Sequence, residues 1–141
     1  MDTKVKRVVV TSSGYALFGD EANTDGKIYT ESDWADPEKT QPYGKSKILA
    51  EKAAWDFINE RKKNEQSVFE LAVVNPMLVL GPILSKEFGT SAKFFQMAFS
   101  NEIAGGAIMN DFIPCCDARD VALAVSHNLN ILGNMFLIYI K

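Results

Sequence analysis

"VKRVVVTSS", Val5 to Ser13, decides how the rest of the chain is read. It is short, β-branched and apolar, and it breaks at Gly14. A continuous apolar run of that length fits a strand buried in a parallel sheet. A parallel partner has to be reached through a crossover, usually a helix. Both parts follow in the sequence. "TQPYGKSKILAEKAAWDFINERKK", Thr40 to Lys63, predicts a helix, with Pro42 near its start and Lys and Arg at its end. "VFELAVVNP", Val68 to Pro76, predicts a second strand, stopped by Asn75-Pro76. Two further helices are predicted near residues 91–100 and 117–129, with Cys115 and Cys116 in a strand before Asp117. Strand, helix, strand implies an α/β fold with a right-handed crossover, a parallel sheet and flanking helices, Val5–Ser13 and Val68–Asn75 being neighbours or near-neighbours.

Composition narrows the function classes. The 141 residues are 47% hydrophobic, enough for one core, and 23% charged with a net charge of −3. This mildly acidic balance argues against nucleic acid or an anionic membrane as main partner. No apolar run reaches the length of a membrane span, and no basic-then-apolar leader opens the chain. The only cysteines, Cys115 and Cys116, are adjacent. They make neither a disulfide framework nor a zinc ligand set, which points to a reducing compartment, the cytoplasm. His127 is the only histidine, so no metal is expected. It reads as a helix-surface residue, Arg119 and Asp120 as ion-pair or capping groups, and the Lys and Glu of 60–65 as a solvated helix end.

Between the first strand and the first helix lie about 29 residues, Gly14 to Pro42, a length at which loops are often functional. The loop leads to Tyr43 and Lys47, four residues apart. On a helix these two share a face with Ala50, Ala54 and Phe57, opposite Lys45, Lys52, Asp56 and Lys63. Lys47 is thus expected on the apolar stripe, where it must snorkel or find a partner. The chemistry suits a proton-transfer device. A phenol alone titrates near pH ~10, and a neighbouring ammonium favours its phenolate form. A hydroxyl from Thr11-Ser12-Ser13 would complete such a site, because ligands of open α/β sheets lie beyond the carboxyl ends of the strands. A lone Tyr-x-x-x-Lys match is weak, and serines often end strands. The joint order carries more weight: strand, Thr-Ser-Ser, long loop, Tyr-x-x-x-Lys helix, strand, Asn-Pro.

In "KRVVVTSS", "ESDW", "YGKSKILAEKAAWDF", "VVNPMLVLGP" and "DARDVALA", from Lys6 to Ala124, the chain resembles the extended short-chain dehydrogenase/reductase family (the NAD-dependent epimerase/dehydratase superfamily). It is most similar to the group of dihydroflavonol, cinnamoyl-CoA and methylglyoxal (ketone) reductases. The resemblance implies a partial Rossmann-like, doubly wound sheet and reduction of a small-molecule aldehyde or ketone by NADP or NAD. It implies a triad of Ser13, Tyr43 and Lys47, with Ser12 as the fallback serine. Tyr43 would donate the proton, Lys47 would assist it and bond the nicotinamide ribose, and Ser13 would polarise the carbonyl. Cofactor contacts are implied at Ser12, Tyr43, Lys47 and the main chain from Pro76 to Val79.

The family's glycine-rich phosphate turn is not in this sequence: Gly14, Gly19, Gly26 and Gly44 do not form Gly-x-Gly-x-x-Gly, and Gly105-Gly106 follows no predicted strand. The chain therefore reads as a catalytic part, with residues 1–82 as the Ser/Tyr-Lys core and 83–141 as the start of a substrate-binding part. Its ending, "GNMFLIYIK", resembles a late strand cut short. An open sheet edge would be available for pairing with another chain, and the chain alone is expected neither to bind NAD(P)H tightly nor to turn over. Two alternatives stand beside the reductase. A 3β-hydroxysteroid dehydrogenase or sugar-nucleotide epimerase would share the triad, and a truncated, non-catalytic binding or decoy module would need none of it.

Overall fold

A computed structural model of the chain describes residues 5–20, 27–66, 69–84, 86–87, 89–100 and 114–130. The valine run forms strand β1, Arg7–Thr11. One helical turn, α1, Tyr15–Phe18, follows directly. A 3-10 turn at Pro37–Lys39 is opened by Asp36, whose carboxylate accepts the Glu38 N–H at 2.9 Å. The long helix α2 runs Pro42–Lys63, with Pro42 in the first turn, where its missing N–H costs nothing. Arg61, Lys62 and Lys63 occupy its last turn, complementing the helix dipole. Then come β2, Glu70–Val74; β3, Leu78–Leu80; α3, Thr90–Phe99; β4, Cys115–Asp117; and α4, Ala118–Asn130.

Strands β1 and β2 pair in parallel, from Arg7 opposite Glu70 to Thr11 opposite Val74. The Arg7 Nε donates to Glu70 Oε2 at 2.8 Å at the open end of the ladder. The predicted parallel neighbours are thus neighbours, joined through α2. Strands β3 and β4 make a second parallel ladder, from Leu78 opposite Cys115 to Leu80 opposite Asp117. Sequence reasoning did not foresee β3 as a strand. Pro76 still accepts from the β1 side through its carbonyl but has no N–H to give, and past it the chain pairs through β3 with β4 instead. Helix α4 packs on β1 and β2, and α3 on β3. The expected late strand at 133–141 lies outside the described residues.

The helical face of α2 differs from expectation. The predicted inward stripe was Tyr43, Lys47, Ala50, Ala54 and Phe57. The buried residues are Gly44, Ile48, Glu51 and Ile58, one position further on, while Tyr43, Ala50 and Phe57 are exposed. Glu51 hid this stripe, because a carboxylate reads as a surface residue until its buried partner is known. Ile48, fully buried, joins Ala16 and Ala35 in the core, and Ala72, Val73 and Val74 supply the sheet side. No helix of the described residues is long and apolar enough to cross a membrane.

Candidate active site

The carboxyl ends of β1 and β2 meet the first turns of α2. The ladder continues past β1, with the Ser12 N–H donating to the Val74 carbonyl at 2.8 Å and the Gly14 N–H to the Pro76 carbonyl at 2.9 Å. This holds Ser12 and Ser13 in the core, 8% and 7% exposed. The Ser13 carbonyl accepts from the Ala16 N–H at 2.9 Å, and its hydroxyl accepts a long bond, 3.4 Å, from the Tyr15 N–H. Ser13 therefore starts α1 and is fixed by it.

Tyr15 carries the contact onward to α2. Its ring meets the Tyr43 ring edge-on, with centroids 5.7 Å apart, and its hydroxyl accepts from Gln41 Nε2 at 3.0 Å. Gln41 Nε2 also donates to Asp20 Oδ1 at 3.0 Å. Gly44 makes room for this: a Cβ there would lie 2.9 Å from Tyr15 Cδ1 and 2.3 Å from Thr40 Cγ2. Tyr43 is 53% exposed, reachable by a ligand. Lys47, half-buried at the border of the stripe, holds its Nζ 5.9 Å from the Tyr43 ring centroid. Tyr15 thus touches both Ser13 and Tyr43, and Lys47 lies beside Tyr43. Ser12 stays beneath them, its buried hydroxyl without a hydrogen-bond partner among the described residues.

Below this group lies a polar contact that sequence reasoning missed. Asn75, 1% exposed, donates through Nδ2 to Glu51 Oε2 at 2.7 Å and to the Ser13 carbonyl at 3.2 Å. Glu51 is 2% exposed. The only sequence signal was negative: a glutamate in register with Gly44, Ile48 and Ile58.

The remaining predicted contacts lie apart. Pro76 is buried, with its carbonyl taken by Gly14. Val79 sits in β3, opposite Cys116, and lines a cavity of about 580 Å³ with Leu80 to Ile83, Gly89 to Ala92, Phe95 and Ala118. Its lining is mostly apolar and it is open to solvent. Beside it, Asp117 Oδ1 accepts from Arg119 Nε at 2.9 Å, and these bonds hold the Asp117 carboxyl at about 2. Burial pushes the Cys116 thiol up. The "ESDW" element is also ordered. Asp33 bonds the Lys27 ammonium and the Thr30 N–H and hydroxyl, which holds its carboxyl at about 2, and Trp34 stacks under Lys52 of α2. Among the described residues no group of three His, Cys, Asp or Glu lies close enough to hold a metal ion.

Comparison with known proteins places the chain among reductases. No family model matches the chain. Cinnamoyl-CoA reductase 1 of Arabidopsis thaliana is 33% identical over 127 residues, 87% of this chain and 35% of the relative. The NADPH-dependent methylglyoxal reductase of Saccharomyces cerevisiae is 34% identical over 137 residues, 85% of this chain and 38% of the relative. The crystal structure of yeast methylglyoxal/isovaleraldehyde reductase complexed with NADPH superposes with a TM-score of 0.75 at 30% identity, covering 96% of this chain and 43% of that one. The chain belongs to the extended short-chain dehydrogenase/reductases and shares their Rossmann-type α/β fold. Within them, its relatives are cinnamoyl-CoA and methylglyoxal reductases, and it spans little more than a third of their length.

Proposed function

We propose that the protein containing this chain reduces a small aldehyde or ketone to an alcohol with NADPH, and that Ser13, Tyr43 and Lys47 carry the proton chemistry. The observation that supports this best is the exposed Tyr43 phenol beside Lys47, joined through Tyr15 to the Ser13 turn. The relatives' dependence on NADPH supports the cofactor. The residues present suit its nicotinamide end: an exposed phenol, a lysine beside it and the carboxyl ends of two parallel strands. When bound, the cofactor supplies the hydride. Tyr43 Oη gives its proton to the carbonyl oxygen, and the Ser13 hydroxyl donates a hydrogen bond that polarises the same carbonyl. Lys47, beside Tyr43, would hold the nicotinamide ribose.

The test is a chimera in which this chain replaces the aligned stretch of the yeast methylglyoxal reductase. It should oxidise NADPH in the presence of methylglyoxal. Tyr43→Phe should lower kcat by about 10²–10⁴ with KM little changed. A Tyr43→Phe chimera with undiminished kcat sinks the assignment. The chain on its own should bind NADPH weakly, because a dinucleotide is anchored largely through its pyrophosphate at a glycine turn and helix N-terminus. Calorimetric titration reporting micromolar binding would overturn that expectation.

A further inference from the structure

Tyr43, Lys47 and Glu51 are spaced by four along α2, so they form one ridge of the helix. The ridge winds inward: Tyr43 is 53% exposed, Lys47 is half-buried and Glu51 is 2% exposed. At its buried end Glu51 accepts from Asn75, and Asn75 also holds the Ser13 carbonyl. We infer that the Glu51–Asn75–Ser13 contact sets the rotation of α2 about its axis, and so the position of Tyr43 and Lys47 against Ser13.

Three observations carry this. First, the contact joins all three elements that bring the site together: α2, the end of β2 and the end of β1. Second, a buried hydrogen bond is directional, whereas the aliphatic contacts around Ile48 and Ile58 tolerate a small helix rotation. A side-chain tip lies about 5–6 Å from a helix axis, so a rotation of about 10° moves it by about 1 Å. Misplacement on that scale can cost about 10²-fold in rate. Third, polarity in this place has no simple packing purpose. Burying a carboxylate and an amide in the core is costly unless each finds its partner. The Oδ1 of Asn75 and the neighbouring Ser12 hydroxyl have no hydrogen-bond partner among the described residues. A buried polar cluster left partly unsatisfied adds little to stability, so its directional bonds are its clearest effect on the fold. Glu51 and Asn75 are therefore positioning residues, acting through Tyr43 and Lys47 without touching the reacting atoms.

The inference rests on Tyr43 as the proton donor, but its first readout does not. In the 141-residue chain, nuclear Overhauser contacts between the Tyr43 and Tyr15 rings report the rotation of α2. Glu51→Leu and Asn75→Ala should each lose at least half of that contact intensity in protein that is still helical. Glu51→Gln, which keeps an acceptor for Asn75, should retain it. The double variant Glu51→Leu/Asn75→Ala should be no worse than either single one. A folded Glu51→Leu or Asn75→Ala protein with undisturbed ring contacts overturns the proposal. Where those two fail to fold, loss of the ring contact in Glu51→Gln overturns it. In the chimera, Glu51→Leu should lower kcat by about 10–10²-fold with KM nearly constant, and Glu51→Gln should restore it. Should Tyr43→Phe remain active, the donor assignment fails while the ring-contact result stands, so the two failures are told apart.

Discussion

Two strands of similar sequence, β2 and β3, have different surroundings. Glu70–Val74 reads ELAVV and Leu78–Leu80 reads LVL, both apolar. Yet Ala72, Val73 and Val74 are buried, while every residue of β3 is half-buried and Leu84 just beyond it is 99% exposed. What differs is the cover. Helices α2 and α4 pack on β2, whereas a cavity opens beside β3. Apolarity makes a strand eligible for burial, and the neighbouring element decides whether burial happens.

The comparison breaks or sharpens by mutation. Ile48→Ala removes a fully buried side chain over the first ladder and should cost about 2–5 kcal/mol, whereas Leu80→Ala on half-buried β3 should cost about 1 kcal/mol. Urea unfolding gives both, and an equal or reversed ranking would break the contrast. Next comes Gly81, at φ +144°, where a side chain is strained and a Cβ would lie 3.1 Å from Ala118 Cβ. Gly81→Ala should cost about 1–3 kcal/mol. Hydrogen exchange should show the loss at β3 and β4 and leave β1 and β2 protected. Gly44→Ala pits a clash with Thr40 and Tyr15 against better helix propensity, and a net loss of about 1 kcal/mol is expected. Thermal unfolding should show Thr40→Ser recovering most of it, since the Thr40 methyl is the nearer obstacle.

The smallest effect is electrostatic and touches both regions. Asp33 near α2 is lowered to about 2 by its bonds to Lys27 and Thr30, and Asp117 in β4 is lowered to about 2 by Arg119. A carboxyl with a depressed folded pKa contributes stability that is present above its unfolded value, near 3.8, and is lost as pH falls through about 2. Both carboxylates are half-buried but pair with exposed cations, so the loss should be slight. Stability of Asp33→Asn and Asp117→Asn should therefore converge on that of the parent protein between pH 4 and pH 2. A difference that persists at the acid end means the side chains act through packing rather than charge.

Much of the frame was legible in the sequence because it depends on local pattern. The valine run, the Pro42 start, the basic end of α2 and the Asn75-Pro76 stop each carry their own signal within a few residues. The Tyr43–Lys47 spacing is legible for the same reason. What escaped depends on distant partners. Glu51 belongs to the buried face only because Asn75, 24 positions away, meets it. Tyr15 reads as a loop residue until its ring is seen against Tyr43, and β3 reads as a loop until β4 pairs with it.

The β1–β2 ladder also has a kinetic side. Arg7 and Glu70 are 63 positions apart, so closing the ladder costs loop entropy before any pair is gained. Helix α2 is local, forms on the microsecond scale and shortens the span to be closed. Folding should then wait on docking of a preformed helix. Weakening the helix at an exposed site, as in Ala53→Gly, should slow refolding, whereas Val9→Ala in β1 should chiefly speed unfolding. A chevron in which Val9→Ala mainly slows refolding would place strand pairing ahead of the helix.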